Sequence, residues 1–154
     1  MKLEPYSNYL QQTVIPARLA CRTSDGWPVV LSLWYLYREG ALYCATQTSA
    51  KIVANLRQDP RCAYEIASDL PPYCGIRGKA RAQILPELGE GVLAELLHRY
   101  LGGTNNPLAR TLLKQQASEV AIQLEPISVY AWNFTQRMQG TEPMNRPKPC
   151  PDTK

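Results

Sequence analysis

The segment that decides the fold of this chain is YCATQTSAK, residues 43–51. Its first half is typical of the end of a strand, and its hydroxyl groups and lysine are typical of the first turn of a helix over 49–58. A strand that runs directly into a helix lets free backbone N–H groups, the positive end of the helix dipole and the Lys51 ammonium converge on one point. The segment therefore predicts a phosphate site. Local physics leaves one alternative open, in which Thr48 or Ser49 merely caps the helix and Lys51 is solvated.

Strand-like runs bounded by turn residues lie on both sides of this segment. They cover residues 17–22, 27–37, 41–46, 61–67, 73–84, 119–124 and 127–134, and helical patterns cover 6–12, 49–58, 86–101 and 108–116. The first three strands predict an antiparallel meander. Strands in this number, with helices inserted and no regular strand–helix alternation, predict a mainly β fold, a closed antiparallel barrel. We expect a single domain over 1–139 and a flexible, proline-rich tail over 140–154.

Composition excludes several classes of protein. The chain has 154 residues, 45% hydrophobic and 19% charged, with a formal net charge of +4, which is ordinary for a globular domain and disfavours a nucleic-acid binder. No apolar stretch is long enough to span a bilayer, and the first residues lack a signal peptide, so we expect a cytoplasmic protein without a membrane partner. The five cysteines contain no C-x-x-C pair, and we expect them to be reduced and to bind no metal.

The second strand run is apolar on both faces. Alternate residues place Val29 and Leu31 on one face and Val30 and Trp34 on the other. An antiparallel strand with one wet face would alternate more cleanly, so both faces should be covered, one by the barrel interior. The simplest way to bury the other face is contact with a second copy of the chain, so the pattern predicts a homodimer.

The order of motifs resembles a known family. The run Thr46-x-x-Ser49-x-Lys51, followed by Asn55-Leu56-Arg57-x-Asp59-Pro60-Arg61, is similar to the phosphate loop and helix of the pyridoxamine 5'-phosphate oxidase-like flavin-binding split barrels. Three further segments follow in the family's order: ARLA with DG-x-P over 17–28, VVLSLW over 29–34, and GKA over 78–80. The resemblance spans roughly residues 18–134 and implies a mainly β, antiparallel split β-barrel of the FMN-binding type.

The resemblance also implies a set of cofactor-binding residues. The FMN phosphate would be held by the strand end and following turn, the ring would lie along the second strand, and one tryptophan would come from the partner subunit of a homodimer. Placed on this sequence, these positions are Thr46, Ser49 and Lys51 for the phosphate, Leu31, Ser32, Leu33, Trp34 and Tyr73 for the ring, and the partner-derived Trp132. Ala45 and Ala50, next to the phosphate residues in sequence, complete the expected cofactor-binding set. Trp34, Tyr35 and Trp132 are the expected ring walls. The resemblance predicts no metal.

The chain also departs from the family pattern. Residues 133–137 are Asn-Phe-Thr-Gln-Arg where the oxidase carries its substrate-binding element, so vitamin B6 oxidase activity is not expected. Val29 and Trp34 replace the family's arginine and lysine, and the loop from Thr46 to Lys51 is one residue shorter. The leading expectation is an FMN-dependent oxidoreductase that acts on a small-molecule substrate, with a nicotinamide as a candidate electron donor. The alternative is a non-catalytic carrier or sensor of flavin, deazaflavin or haem.

Overall fold

The computed structural model describes residues 2–140 and 149–153. Its strands are β1 Ala17–Arg22, β2 Pro28–Leu33, β3 Leu36–Arg38, β4 Ala41–Gln47, β5 Arg61–Ala67, β6 Cys74–Leu85, β7 Glu119–Pro126 and β8 Tyr130–Asn133. Its α-helices are α1 Ser7–Gln12, α2 Lys51–Gln58, α3 Gly89–Leu101 and α4 Pro107–Leu113, and single 3₁₀ turns occupy Glu4–Tyr6, Pro86–Leu88 and Gln116–Ser118. None of the helices formed by these residues is long and apolar enough to cross a membrane.

The strands form one curled antiparallel sheet. Their order is β2-β1-β5-β6-β7-β4-β3, and β8 pairs with the first part of β6. β2 and β3 stand at opposite ends of this order although only Trp34 and Tyr35 separate them in sequence. The sheet therefore curls back on itself and is open where the chain passes from β2 to β3. The mainly β, antiparallel barrel with inserted helices predicted from the sequence is confirmed.

The predicted single strand over 27–37 is wrong in one respect, because it is two strands with different neighbours. β2 pairs with β1, whereas β3 pairs with β4, so the predicted meander passes through a break at Trp34 and Tyr35. The Tyr35 N–H donates to the Tyr100 hydroxyl at 3.2 Å instead of to a strand. The interruption is thus bonded by a side chain of α3.

The core lies inside the curled sheet. Leu19, Leu42, Ile66, Ile76 and Ile122 are among its fully buried side chains. β2 closes this core with its inner face only, since Val29, Leu31 and Leu33 pack against it. Val30, on the outer face, is 64% exposed in the single chain.

Small residues on one face of β6 allow another backbone segment to approach closely. Gly78 pairs with Tyr64 on β5, and a Cβ built on it would lie 1.9 Å from the carbonyl oxygen of Ser128. Glycine is therefore required where the segment before β8 crosses β6.

The expectation of five reduced cysteines is wrong for two of them. Cys74 and Cys150 form a disulfide, 76 residues apart in sequence, whereas Cys21, Cys44 and Cys62 are buried free thiols. Sequence spacing alone could not indicate this pair, because the tail reaches the start of β6 only in three dimensions. The tail predicted over 140–154 lies outside the described residues at 141–148, and residues 149–153 are held beside β6.

Candidate functional site

The opening of the sheet forms a cleft. The β3–β4 pairing joins Leu36 to Tyr43 and Arg38 to Ala41, and the same register continued would place Trp34 opposite Ala45. β2 instead leaves β4 and joins β1. A cavity of about 620 Å³ occupies the gap, within the usual size range of small-molecule sites. It is lined by Ser32, Leu33, Trp34, Ala45, Thr46, Gln47, Leu93, Leu96, Leu108, Thr111, Leu112, Lys114, Gln115 and Glu119.

The cleft brings together five of the residues predicted for a cofactor. Ser32, Leu33 and Trp34 come from the end of β2, and Ala45 and Thr46 come from β4. Helices α3 and α4 supply an apolar wall opposite them. A predicted sixth residue, Leu31, does not line this cleft and packs against the barrel core.

The turn after β4 starts helix α2 without a side-chain cap. Ala50 is the N-cap residue, and no side chain hydrogen-bonds to the first turn. The Ala50 N–H donates to the Gln47 carbonyl, and the Thr48 N–H donates to the Ser118 carbonyl, so the turn is held by backbone bonds. The capping by Thr48 or Ser49 in the alternative is therefore wrong, whereas its other part, a solvated Lys51, agrees with the exposed Lys51 of the structure. The N-terminus of α2 keeps its positive end open.

Ser49, Ala50 and Lys51 follow the cleft rim in sequence but are not part of its lining. Ser49 and Lys51 are exposed, and Lys51 forms no ion pair with any residue in 2–140 or 149–153. An exposed ammonium beside an uncapped helix start can bind an anion without first breaking a bond within the described chain.

One wall of the cleft is fixed by a stack of rings. The Trp34 and Tyr100 rings are stacked with centroids 4.9 Å apart and an interplanar angle of 8°. The Tyr100 hydroxyl donates to the Ile15 carbonyl at 2.9 Å and accepts from the Tyr35 N–H. This places the Trp34 indole rigidly at the opening, where a flat ligand can pack against it.

Tyr35 is not a ring wall as expected, because it is fully buried behind the opening. Its hydroxyl donates to the Thr13 carbonyl at 2.7 Å, and burial raises its pKa. The Arg99 guanidinium lies 5.1 Å from the centre of its ring and donates to the carbonyls of Leu10, Gln11 and Thr13. Tyr35 and Arg99 anchor the N-terminal segment beneath the strand break.

A polar pair in the cleft, Gln47 and Glu119, was not predicted from the sequence. The Gln47 amide nitrogen donates to Glu119 Oε1 at 2.7 Å. Glu119 is 7% exposed, and its Oε2 has no hydrogen-bond partner among the described residues. Burial raises the pKa of this carboxyl, while the bond from Gln47 lowers it. Gln47 stands inside the decisive segment, but only the pairing of β4 with β7 brings it to Glu119.

Tyr73 and Trp132 do not line the cleft. Tyr73 directly precedes β6, and Trp132 on β8 pairs with Gly75 of β6. Trp132 and Tyr130 form an aromatic surface with ring centroids 6.4 Å apart, and the Arg77 guanidinium lies 5.4 and 5.1 Å from them. A single chain therefore leaves these two predicted residues separate from the cleft residues.

These features define a fold. An antiparallel sheet curled into a barrel, opened between β2 and β3 and flanked by a strand–turn–helix, is the split-barrel fold of the pyridoxamine 5'-phosphate oxidase-like proteins. The sequence itself matches no family model and no curated protein.

Solved structures show the same fold. The conserved hypothetical protein Rv2991 from Mycobacterium tuberculosis has a TM-score of 0.75 and 19% identity, over 95% of this chain and 93% of that one. An F420 reductase has a TM-score of 0.66 and 22% identity, over 79% of this chain and 93% of that one. A candidate pyridoxamine 5'-phosphate oxidase from Listeria innocua has a TM-score of 0.64 and 16% identity, over 86% and 99%. The predicted split barrel is confirmed, and at these identities the likeness is one of fold.

Proposed function

We propose that this protein binds FMN in the cleft between β2, β4 and the helices α3 and α4, and that it is a flavin-dependent oxidoreductase. The observation that carries the proposal is the arrangement of an apolar cleft, walled by Trp34, beside a helix N-terminus that is uncapped and carries Lys51. An apolar slot suits the flavin ring, and a cationic helix start suits a phosphate. The flavin, when bound, supplies hydride and electron transfer.

The residues divide the binding between ring and phosphate. Trp34 and Leu33 offer apolar contact at the end of β2, and α3 and α4 exclude water on the opposite side. Thr46 and Ser49 carry hydroxyl donors along the path to the helix, and Lys51 adds the charge. The resemblance to the flavin-binding family gave the same division. The F420 reductase with this fold supports a flavin-type cofactor, with deazaflavin as the nearest alternative to FMN.

We further propose that the working unit is a homodimer. Val30 is 64% exposed and Tyr130 57%, and both line a groove of about 520 Å³ between β2 and β8. A second copy would cover these apolar side chains and carry its Trp132 toward the cleft, which its own chain does not do. Sedimentation at micromolar concentration tests this, since a monomer that binds flavin with full affinity would contradict it.

The absorption spectrum of the purified protein tests the cofactor, because flavin, deazaflavin and haem differ in colour. We expect flavin absorbance, or its appearance on titration with FMN and its retention on a desalting column. A protein that stays colourless after this titration would contradict the proposal.

Stopped-flow mixing with reduced nicotinamide under anaerobic conditions tests the enzyme. Hydride transfer moves two electrons and one proton from the nicotinamide to the flavin, so the flavin absorbance should bleach. A bound flavin that no nicotinamide reduces would favour the alternative function, a carrier without turnover.

A further inference from the structure

The orientation of the Gln47 amide in the cleft is fixed by its neighbours. Its nitrogen lies 2.7 Å from Glu119 Oε1 and 3.3 Å from the carbonyl oxygen of Gln115. Both neighbours are acceptors, so the NH₂ group and not the carbonyl must face them. Each amide hydrogen then has a partner, and the amide cannot flip without losing both bonds.

The Gln47 carbonyl oxygen is consequently left for a ligand. It accepts no hydrogen bond from the residues in 2–140 or 149–153, and Gln47 is only half-buried where it lines the cleft. An amide oxygen accepts hydrogen bonds and does not donate them. The group that it recognises must therefore carry an O–H or N–H.

Glu119 holds the Gln47 amide in this orientation by accepting its hydrogen bond. Glu119 is only 7% exposed, and it forms no ion pair within the described part of the chain. Burial raises the pKa of its carboxyl. Lys114 is the other charged residue of the cleft lining. Glu119 Oε1 therefore serves as the acceptor that holds the Gln47 NH₂ group.

We propose that Gln47 binds a hydroxyl group of the cofactor's polyol chain and that Glu119 is its positioning residue, an inference that rests on the proposed flavin function. The polyol chain of FMN joins the ring to the phosphate. Gln47 lies in the corresponding place on the chain, after Ala45 and Thr46 of the cleft and before the turn that starts α2. The ligand class is thus a flat ring with a hydroxylated chain.

Three flavins separate this contact from others. FMN has ring, polyol and phosphate, riboflavin lacks the phosphate, and lumiflavin lacks the polyol as well. We expect Gln47→Met to weaken FMN and riboflavin about fivefold to tenfold, the worth of one hydrogen bond, and to leave lumiflavin within about twofold. Gln83→Met, the same change at an exposed position of β6 outside the cleft, should leave all three dissociation constants unchanged.

The positioning role has its own test. Glu119→Gln keeps an acceptor for the Gln47 nitrogen and should retain FMN affinity within about twofold, whereas Glu119→Met should reproduce the Gln47→Met pattern. Circular dichroism and thermal melting establish that each variant is folded, and Glu119→Gln remains informative if Glu119→Met is not. Loss of FMN affinity in Glu119→Gln would overturn the positioning role.

The outcomes distinguish this inference from the proposed function. If the wild type binds FMN but Gln47→Met binds it equally well, the polyol contact is wrong and the flavin proposal stands. If Gln47→Met weakens lumiflavin as much as riboflavin, Gln47 contacts the ring and the inference is overturned. If the wild type binds none of the three flavins, both proposals are wrong.

Discussion

Replacing Lys51 by alanine is the most direct test of the phosphate site proposed at the start of α2. Lys51 is the first residue of the helix, its side chain is exposed, and the helix has no side-chain cap. We expect Lys51→Ala to weaken FMN binding, because the variant loses the only ammonium in the turn at 48–51. Riboflavin binding should not change, since riboflavin has no phosphate.

The expected magnitude follows from the exposure of Lys51. A hydrogen bond to a charged group contributes about 1.5 to 3 kcal/mol, and solvent screening of an exposed lysine favours the lower end, about 1.5 kcal/mol. This corresponds to roughly a tenfold rise in the FMN dissociation constant. The helix dipole and the free N–H groups remain, and at about 0.3 to 1 kcal/mol they should keep FMN somewhat tighter than riboflavin.

The assay is fluorescence titration of FMN and riboflavin at low salt. The matched control is Arg57→Ala, which removes one exposed positive charge from the last turn of the same helix. A change caused by net charge alone would appear in both variants. Equal affinity of the wild type for FMN and riboflavin would refute the reasoning, because no phosphate site would then exist.

Three further predictions concern stability, measured by urea or thermal unfolding. Gly78→Ala should destabilise the protein by about 2 to 3 kcal/mol, because the new Cβ would overlap the Ser128 carbonyl. Gly91→Ala in α3 should stabilise it by about 0.5 to 1 kcal/mol, since a Cβ there has nothing within 4 Å. Equal effects of the two substitutions would contradict the close approach at Gly78. Cys150→Ser removes the disulfide and should cost about 2 to 4 kcal/mol, and a wild type insensitive to dithiothreitol would argue against this bond. Because the pKa of Glu119 is raised in the folded protein, Glu119 contributes to the free energy of unfolding at acidic pH, and this contribution is lost as the pH rises above about 4.5. The free energy of unfolding should therefore decrease less over this pH range in Glu119→Gln than in the wild type.

Strand and helix patterns were predictable because they depend on short stretches of chain. Alternation and turn residues gave the run over 17–22 with both of its observed bounds, and the apolar spacing after Ala50 gave helix α2 with its observed end at Gln58. The hydroxyl and lysine residues of the decisive segment predicted a helix start that can hold an anion. These properties depend on residues within one or two turns of each other.

The break in the second strand run was not predictable in this way. Residues 27–37 have the pattern of one long strand, and the interruption depends on Tyr100 and Arg99, which lie 65 residues and more along the chain from the groups they bond. Because these contacts oppose the local pattern, tertiary structure overrides it.

The sequence by itself determined the order of strands and helices, the resemblance to a split-barrel family and the position of the turn proposed to bind an anion, since each depends on local spacing. Only the tertiary structure decided that the sheet opens at Trp34, that Gln47 meets Glu119 from 72 residues away, and that Cys74 pairs with Cys150. These contacts join residues far apart in sequence, and the curled sheet brings them together in space, so local patterns do not reveal them.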